Sequence, residues 1–278
     1  MDRLETIVGS MASNATEPSV QLAQTAFRVE LVDGWGIRPG ESVLEIGCGQ
    51  GDMTAVLADA VGPAGRVVGL DIADPSYGAP ITVGDSAAFL MASPLGGRVD
   101  MRFEVDVLDA AVTFADGEFD HVVLSHCAWY FDSVDQVERV LRRVRPWARR
   151  LCFAEWDLRP TSVDQVPHLL AVLVQGQVEA AGVRGDGNVR TPFSRESLLR
   201  GLECSGWAVL SERALHGAAL QDADWEIEAC LRLVESTSAR LPDLARAFVD
   251  SQVDVLGALA REKGNEPLPS YALIAGPG

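Results

Sequence analysis

Lysine is almost missing from this 278-residue chain: of 23 basic residues only one, Lys263, is a lysine. Forty acidic residues outnumber them and leave a formal net charge of −17. A phosphate backbone is held through clustered basic side chains, so nucleic acid is not an expected partner. An anionic membrane surface is disfavoured on the same ground. The plain reading of so much acid is a solvated surface that aids solubility. Cysteine is scarce too. Cys48, Cys127, Cys152, Cys204 and Cys230 are odd in number and widely spaced, which suggests neither a disulfide framework nor a zinc site, and no metal is expected. Three of them fall in apparent strands or in the first glycine loop, where a small buried hydrophobe is the simplest role. No apolar run is long enough to span a bilayer, and no basic stretch followed by an apolar one marks a secretory signal. The expected setting is the reducing cytoplasm.

Apolar residues are plentiful, at 47% of the chain, enough for one large domain or one domain with a cap. The first ten residues carry little signal. From Ser19 to Trp35 apolar residues recur at helical spacing (Val20, Ala23, Phe27, Leu31), and Pro39-Gly40 then turns the chain. Strands are expected at Ser42–Ile46, Val67–Ile72, Asp100–Val107, Phe119–Ser125 and Leu151–Glu155. Helices are expected from Met53, capped by Asp52, to Val61, near Ala87–Met91 and over Val134–Val144. A Pro/Gly-rich loop separates Asp74 from Gly84. Such continuous apolar strands alternating with helices imply a parallel sheet covered on both faces. Alternation then lapses. Helical pattern fills Val163–Ala181, a Gly-rich loop spans Gly182–Asn188, and a helix and a strand follow at Phe193–Cys204 and Gly206–Leu215. Helices near Trp225–Ser236 and Leu241–Lys263 precede a last strand, Ser270–Ala275. The expected organisation is an N-terminal helical segment (1–37), an α/β core (38–158), a helical insertion (159–191), and a C-terminal part of the core (192–278) with its own insertion at about 222–263.

Glu45-Ile46-Gly47-Cys48-Gly49-Gln50-Gly51 lies between a strand and a helix. Glycines there allow a tight turn and a close approach of backbone to ligand. Asp71 ends the next strand, 20 residues after Gly51, where a carboxylate can accept both ribose hydroxyls of a nucleoside. Together they point to an adenosine-containing ligand. A dinucleotide fingerprint has a wider last glycine spacing and a diphosphate at the helix N-terminus. Here the pattern is Gly-x-Gly-x-Gly, with Asp52 at the helix start and Glu45 just before the turn. Acids in those places repel a diphosphate and suit a cationic cofactor with an amino group and a sulfonium.

At this point Val43 to Asp52 resembles the first motif of the class I S-adenosylmethionine-dependent methyltransferases. The resemblance implies a Rossmann-like α/β fold: a mostly parallel seven-stranded sheet flanked by helices, with helical cap or lid insertions. It implies S-adenosyl-L-methionine as cofactor, held by Glu45, Gly47, Cys48 (through its backbone), Gly49, Gln50 and Gly51. Asp71-Ile72 looks like the family's ribose acid with the apolar residue that packs on adenine. Asp106-Val107 resembles the adenine-edge site, a role for which Asp109 competes. Phe119 to His126 looks like the fourth motif, whose end, at Ser125, borders the transferred methyl. The similarity covers about residues 20 to 155. The segment between Asp71 and Asp106 is longer than the family minimum, so a loop there is expected to cover the cofactor or line the substrate pocket.

Methyl transfer is an in-line displacement in which the protein aligns donor and acceptor and excludes water. A hydroxyl or ammonium acceptor also needs a base. His126, at the carboxyl edge of the sheet, is the first catalytic candidate. Glu155, on the same edge, is the second, and Asp157 cannot be separated from it by sequence. Trp129, Tyr130 and Phe131 could form an aromatic wall against a sulfonium or a flat substrate; Tyr130 is the third candidate. His168 could enter the pocket, with a structural role the simpler reading. The insertions are rich in Leu, Val, Ala and Trp, so the expected substrate is a small apolar or aromatic metabolite, in specialised metabolism, methylated on O, N or C. Two alternatives stay open: a cofactor-binding protein of this fold that catalyses a non-methylating reaction such as a cyclisation, and a non-catalytic cofactor-binding protein. Oligomeric state is not legible.

Overall fold

The computed structural model of the chain describes residues 2–15, 17–185, 187–262 and 264–278. Among them, β1 (Ser42–Ile46), β2 (Arg66–Leu70), β3 (Val99–Arg102), β4 (Phe119–Ser125), β5 (Ala148–Trp156), β6 (Trp207–Leu215) and β7 (Ser270–Pro277) form one sheet. Its order is β3-β2-β1-β4-β5-β7-β6. The first five strands pair in parallel, and β7 runs antiparallel between β5 and β6. This is the expected mostly parallel seven-stranded sheet. The reason is visible in β1 and β4: Val43, Leu44, Ile46, Phe119, Val122, Val123 and Leu124 are all buried, so both sheet faces need helical cover. Strand order reverses between β1 and β4. The carboxyl ends of those two strands open the crevice where ligands bind in such sheets.

The helices are α1 (Arg3–Val8), α2 (Pro18–Trp35), α3 (Asp52–Val61), α4 (Val83–Ala92), α5 (Val134–Val144), α6 (Val166–Ala180), α7 (Arg195–Cys204), α8 (Asp222–Thr237) and α9 (Asp243–Glu262). The start of α5 shows the local logic. Ser133 Oγ accepts from Gln136 N at 3.1 Å, a side-chain cap, and the helix then buries Val137, Val140, Leu141 and Val144 on one face. Helices α6, α8 and α9 pack on one another around a second apolar core separate from that of the sheet, including Val174, Val178, Ile227, Leu233 and Leu256. The two helical insertions, distant in sequence, thus share one small core.

Several expected boundaries shift. Asp52 is not the cap of α3. Gly51, at φ 88°, occupies that position and Asp52 is the first helical residue, its carboxylate facing Gln21 and Arg28 instead. The third strand ends at Arg102, five residues early. Glu104 takes φ 58° and turns the chain, so that Glu104 N and Val105 N bond back to Ala73 O and Asp71 O. The second strand ends at Leu70, before Asp71-Ile72. The Pro/Gly-rich loop is shorter than expected, because Thr82 Oγ1 accepts from Asp85 N at 3.0 Å and starts α4 there. Strand β5 and helix α8 begin three residues earlier than expected. Helix α1, which lacks an apolar pattern, is fixed by a capping box between Asp2 and Glu5 and by Arg3 bonding both Asp33 and Asp59. Of the expected segments, Lys263 at the end of α9, Asp186 in the loop before Asn188, and Met1 and Thr16 in the N-terminal segment lie outside the described residues.

Candidate active site

The turn after β1 is built from its glycines. Gly47, Gly49 and Gly51 all have positive φ, a region other L-residues rarely enter. A Cβ on Gly47 would stand 2.9 Å from the Cys127 Cβ, whereas one on Gly49 would meet nothing within 4 Å. One side of the turn is therefore packed and the other faces open space. Asp71 reaches across from the end of β2: its Oδ2 accepts from Gly49 N at 2.7 Å and its Oδ1 from Ala73 N at 2.9 Å. Ile72 beside it is 69% exposed, an apolar side chain left uncovered at the rim of the crevice. Asp106 is exposed, its Oδ1 accepting from Leu108 N at 2.8 Å, while Val107 is buried.

Three neighbours hold the turn. Cys48 is buried; its N–H donates to Leu70 O at 3.2 Å, and burial pushes its thiol well above the ordinary range. Glu45 is 2% exposed and accepts from Thr54 Oγ1 at 2.6 Å. Burial, with a smaller push from Asp71 and Asp52, raises its carboxyl to about 8. Gln50 Nε2 donates to Ile81 O at 2.9 Å, and Ser86 Oγ donates to Gln50 O at 2.8 Å. That pins the Pro/Gly-rich loop beside the turn. Across the crevice, the same loop offers Tyr77 OH to Asn188 Oδ1 at 3.0 Å.

On the β4 side, Ser125 ends the strand and His126 sits at φ 50°, a costly conformation for a non-glycine residue. Its N–H donates to Ala154 O at 2.9 Å; its Nε2 shares a hydrogen bond with Ser270 Oγ at 2.9 Å, and Nδ1 lies 3.3 Å from Ser125 Oγ. Burial lowers its pKa to about 3, so the ring is neutral and weakly basic. Glu155, 1% exposed, is committed to backbone: Oε2 accepts from Ala128 N at 3.0 Å and Trp129 N at 3.4 Å, and Oε1 from Trp156 N at 3.1 Å. It thereby anchors the short 3-10 turn Ala128–Tyr130. Burial raises its carboxyl to about 8 against the pull of those three donors. Asp157 pairs instead with Arg159.

A small cavity, about 10 Å³, opens between His126, Tyr130, Glu155, Trp156, His168 and Glu226. The three catalytic candidates read from the sequence thus line one space. Four of its lining residues, His168, Val172, Val189 and Glu226, come from the helical insertions, and Glu226 on α8 escaped the sequence reading. Its Oε2 accepts from Gln175 Nε2 at 2.7 Å, and burial raises its carboxyl. Arg28 on α2 also escaped. Its Nη2 lies 3.6 Å from Asp52 Oδ2, and its buried Nη1 has no partner among the described residues. Neither position stands out in a helical pattern; only the folded neighbourhood leaves a guanidinium N–H of Arg28 without a partner among the described residues and sets Glu226 in the cavity wall.

A family model described as a methyltransferase domain matches residues 43–150, and one for protein-L-isoaspartate(D-aspartate) O-methyltransferase matches residues 5–75. Among solved structures, a cyclopropane-fatty-acyl-phospholipid synthase-like protein from Lactobacillus casei is 35% identical, with a TM-score of 0.88 over 99% of this chain and 98% of that one. The chain belongs to the class I S-adenosylmethionine-dependent methyltransferases. Within this methyltransferase family, methyltransferase phomM' of Diaporthe leptostromiformis is 29% identical over 60% of this chain and 53% of that protein. Nocamycin O-methyltransferase of Saccharothrix syringae is 35% identical over 51% and 50%. The chain spans about half the length of these curated relatives. Family membership carries S-adenosylmethionine as the cofactor, and the crevice fits it: an open glycine turn, a carboxylate ready at Asp71, an uncovered apolar face at Ile72 and an unpaired guanidinium N–H at Arg28. Among the described residues no helix is long and apolar enough to cross a membrane.

Proposed function

We propose that the chain transfers the methyl group of S-adenosylmethionine to a small molecule with an apolar or aromatic body. The observation that carries this reading is the glycine turn, open at Gly49, with Asp71 bonded across it and Ile72 exposed alongside. Gly47, Cys48 and Gly51 shape the turn. Asp71 takes the ribose hydroxyls and Ile72 one adenine face, with Asp106 and Val107 at the adenine edge. Arg28 takes the carboxylate of the amino-acid end, and Glu45 supports its ammonium electrostatically. Gln50 holds the neighbouring loop in place, and Ser125 closes the floor. Bound there, the cofactor supplies an electrophilic methyl group and needs no further activation.

What remains for the protein is alignment, dryness and proton removal. Helices α6, α8 and α9, in insertions 159–191 and 222–263, act as a lid over the acceptor. His126, neutral at working pH, shapes the floor through Ser270 and Ser125. Both ring nitrogens are engaged, Nε2 with Ser270 and Nδ1 with Ser125, and burial lowers its basicity, which favours another group as the general base. Glu155 is a positioning residue: it fixes the turn that presents Tyr130. The base is Glu226, whose raised carboxyl pKa favours proton uptake at neutral pH.

The test is transfer of labelled methyl from S-adenosylmethionine to a panel of phenols, amines, carboxylic acids and carbon acids. Wild type is run beside His126→Ala, Glu155→Gln and Glu226→Gln. Transfer is expected to one acceptor class, with a loss in kcat of about 10²-fold or more in Glu226→Gln. Tight cofactor binding without transfer to any class would favour a non-methylating role.

A further inference from the structure

His168 and Trp129 are unusual among the buried polar groups of this chain. The imidazole is fully buried and the indole 2% exposed, and both line the small cavity beside Glu155 and Glu226. Leu268 N donates to His168 Nδ1 at 3.0 Å. A backbone N–H can only donate, so Nδ1 is the acceptor and the single proton of the neutral ring sits on Nε2. That Nε2–H has no partner among the described residues, and neither has Trp129 Nε1–H. Buried donors are nearly always paired, and each one left unpaired costs free energy. Two in the walls of one cavity mark a place for a ligand atom.

The chemistry of that atom follows from the walls. An indole N–H only donates, and His168 is locked as a donor, so the atom must accept. An ammonium carries only donors and is excluded. A carboxylate would bring two oxygens into a space for one and a second charge beside the Glu226 base. The free volume is about one water molecule, room for a single oxygen and too little for a ring. We propose that this cavity is the oxygen-anchoring end of the acceptor site, in which His168 Nε2–H and Trp129 Nε1–H both donate to one carbonyl or hydroxyl oxygen of the methyl acceptor. The inference rests on the methyl-transfer reading above and refines it: the acceptor has an apolar body and a neutral oxygen at a fixed place on it.

The test reads the indole N–H directly. Protein labelled with ¹⁵N-tryptophan is saturated with S-adenosylhomocysteine, and the Trp129 indole resonance is identified by its loss in Trp129→Phe. Four probes of equal shape are then titrated: acetophenone, 1-phenylethanol, ethylbenzene and 1-phenylethylamine. The ketone and the alcohol are expected to move the Trp129 proton downfield, and the hydrocarbon and the amine to leave it in place. The dissociation constant of acetophenone is expected to rise about tenfold in His168→Phe, the worth of one good hydrogen bond. It should stay within about threefold of wild type in His168→Gln, which keeps an N–H donor. No downfield shift with either oxygen probe, an equal shift with ethylbenzene, or unchanged ketone affinity in His168→Phe would overturn the proposal. Failure of the cofactor reading shows separately, as absence of S-adenosylhomocysteine binding before any probe is added.

Discussion

With the cofactor bound as proposed, Glu45 is the residue whose protonation most directly reports on it. Burial holds its carboxyl protonated up to about pH 8. A cation placed beside it favours the ionised form, so cofactor affinity rises as pH rises through that range. Titrations of S-adenosylmethionine between pH 6.5 and 8.5 are expected to tighten by up to about tenfold per pH unit below the Glu45 pKa and to flatten in Glu45→Gln. A flat profile in the wild type would contradict the electrostatic role. His126 stands where the sequence puts it, just past the carboxyl end of β4. Its ring packs against Phe27 and Trp156 and borders the cavity beside Glu226, and in the reading proposed above it shapes the floor while Glu226 takes the proton. His126→Asn, with a smaller polar side chain, is therefore expected to lower kcat less than Glu226→Gln does. The reverse order in a pH-rate series would restore histidine as the base.

Among elements, the short turn Ala128–Tyr130 matters most, because it sets Trp129 and Tyr130 in the cavity lining and hangs on one carboxyl group. Glu155→Gln places an amide NH2 in a carboxyl site on which three backbone N–H groups converge. The expected cost is about 1–3 kcal/mol, read as a lower urea midpoint at unchanged slope; an unchanged midpoint would remove Glu155 from that role. The core strands and the glycine turn were legible because their signals are local. Continuous apolar runs give β1 and β4, and the glycines with Asp71 give the turn. What escaped depends on distant partners. The end of β3 is set by bonds from Glu104 and Val105 to Ala73 and Asp71. Helix α1 is held by acids on α2 and α3, and a helical pattern alone does not reveal that Arg28 and Glu226 face the crevice. His168 was visible as a residue, but its role depends on Leu268, 100 positions away.

For the whole molecule, two histidines and two glutamates with shifted pKa values set opposite pH limits. His126 and His168 are lowered to about 3, against about 6.5 unfolded. Between those values the unfolded chain binds more protons, so stability falls as pH drops below about 6.5. Glu45 and Glu155 are raised to about 8, against about 4.3 unfolded. The folded state binds more protons there, so stability falls as pH rises from about 4.3 towards 8. From about 4.3 to 6.5 the two pairs oppose each other. The thermal midpoint of the cofactor-free protein is thus expected to be highest in that interval and to fall between pH 6.5 and 8, a fall reduced in Glu45→Gln. A midpoint that climbs across pH 6.5 to 8 would contradict the assignment. The fold as a whole builds the crevice at the ends of β1 and β4, where the glycine turn and Asp71 stand. The most direct measurement is calorimetric titration of S-adenosylhomocysteine into the wild type and into Asp71→Ala. Saturable one-to-one binding is predicted, weakened roughly 10- to 100-fold by the substitution, as befits loss of charge-assisted hydrogen bonds. No heat of binding in the wild type, or equal affinity in Asp71→Ala, would contradict the account.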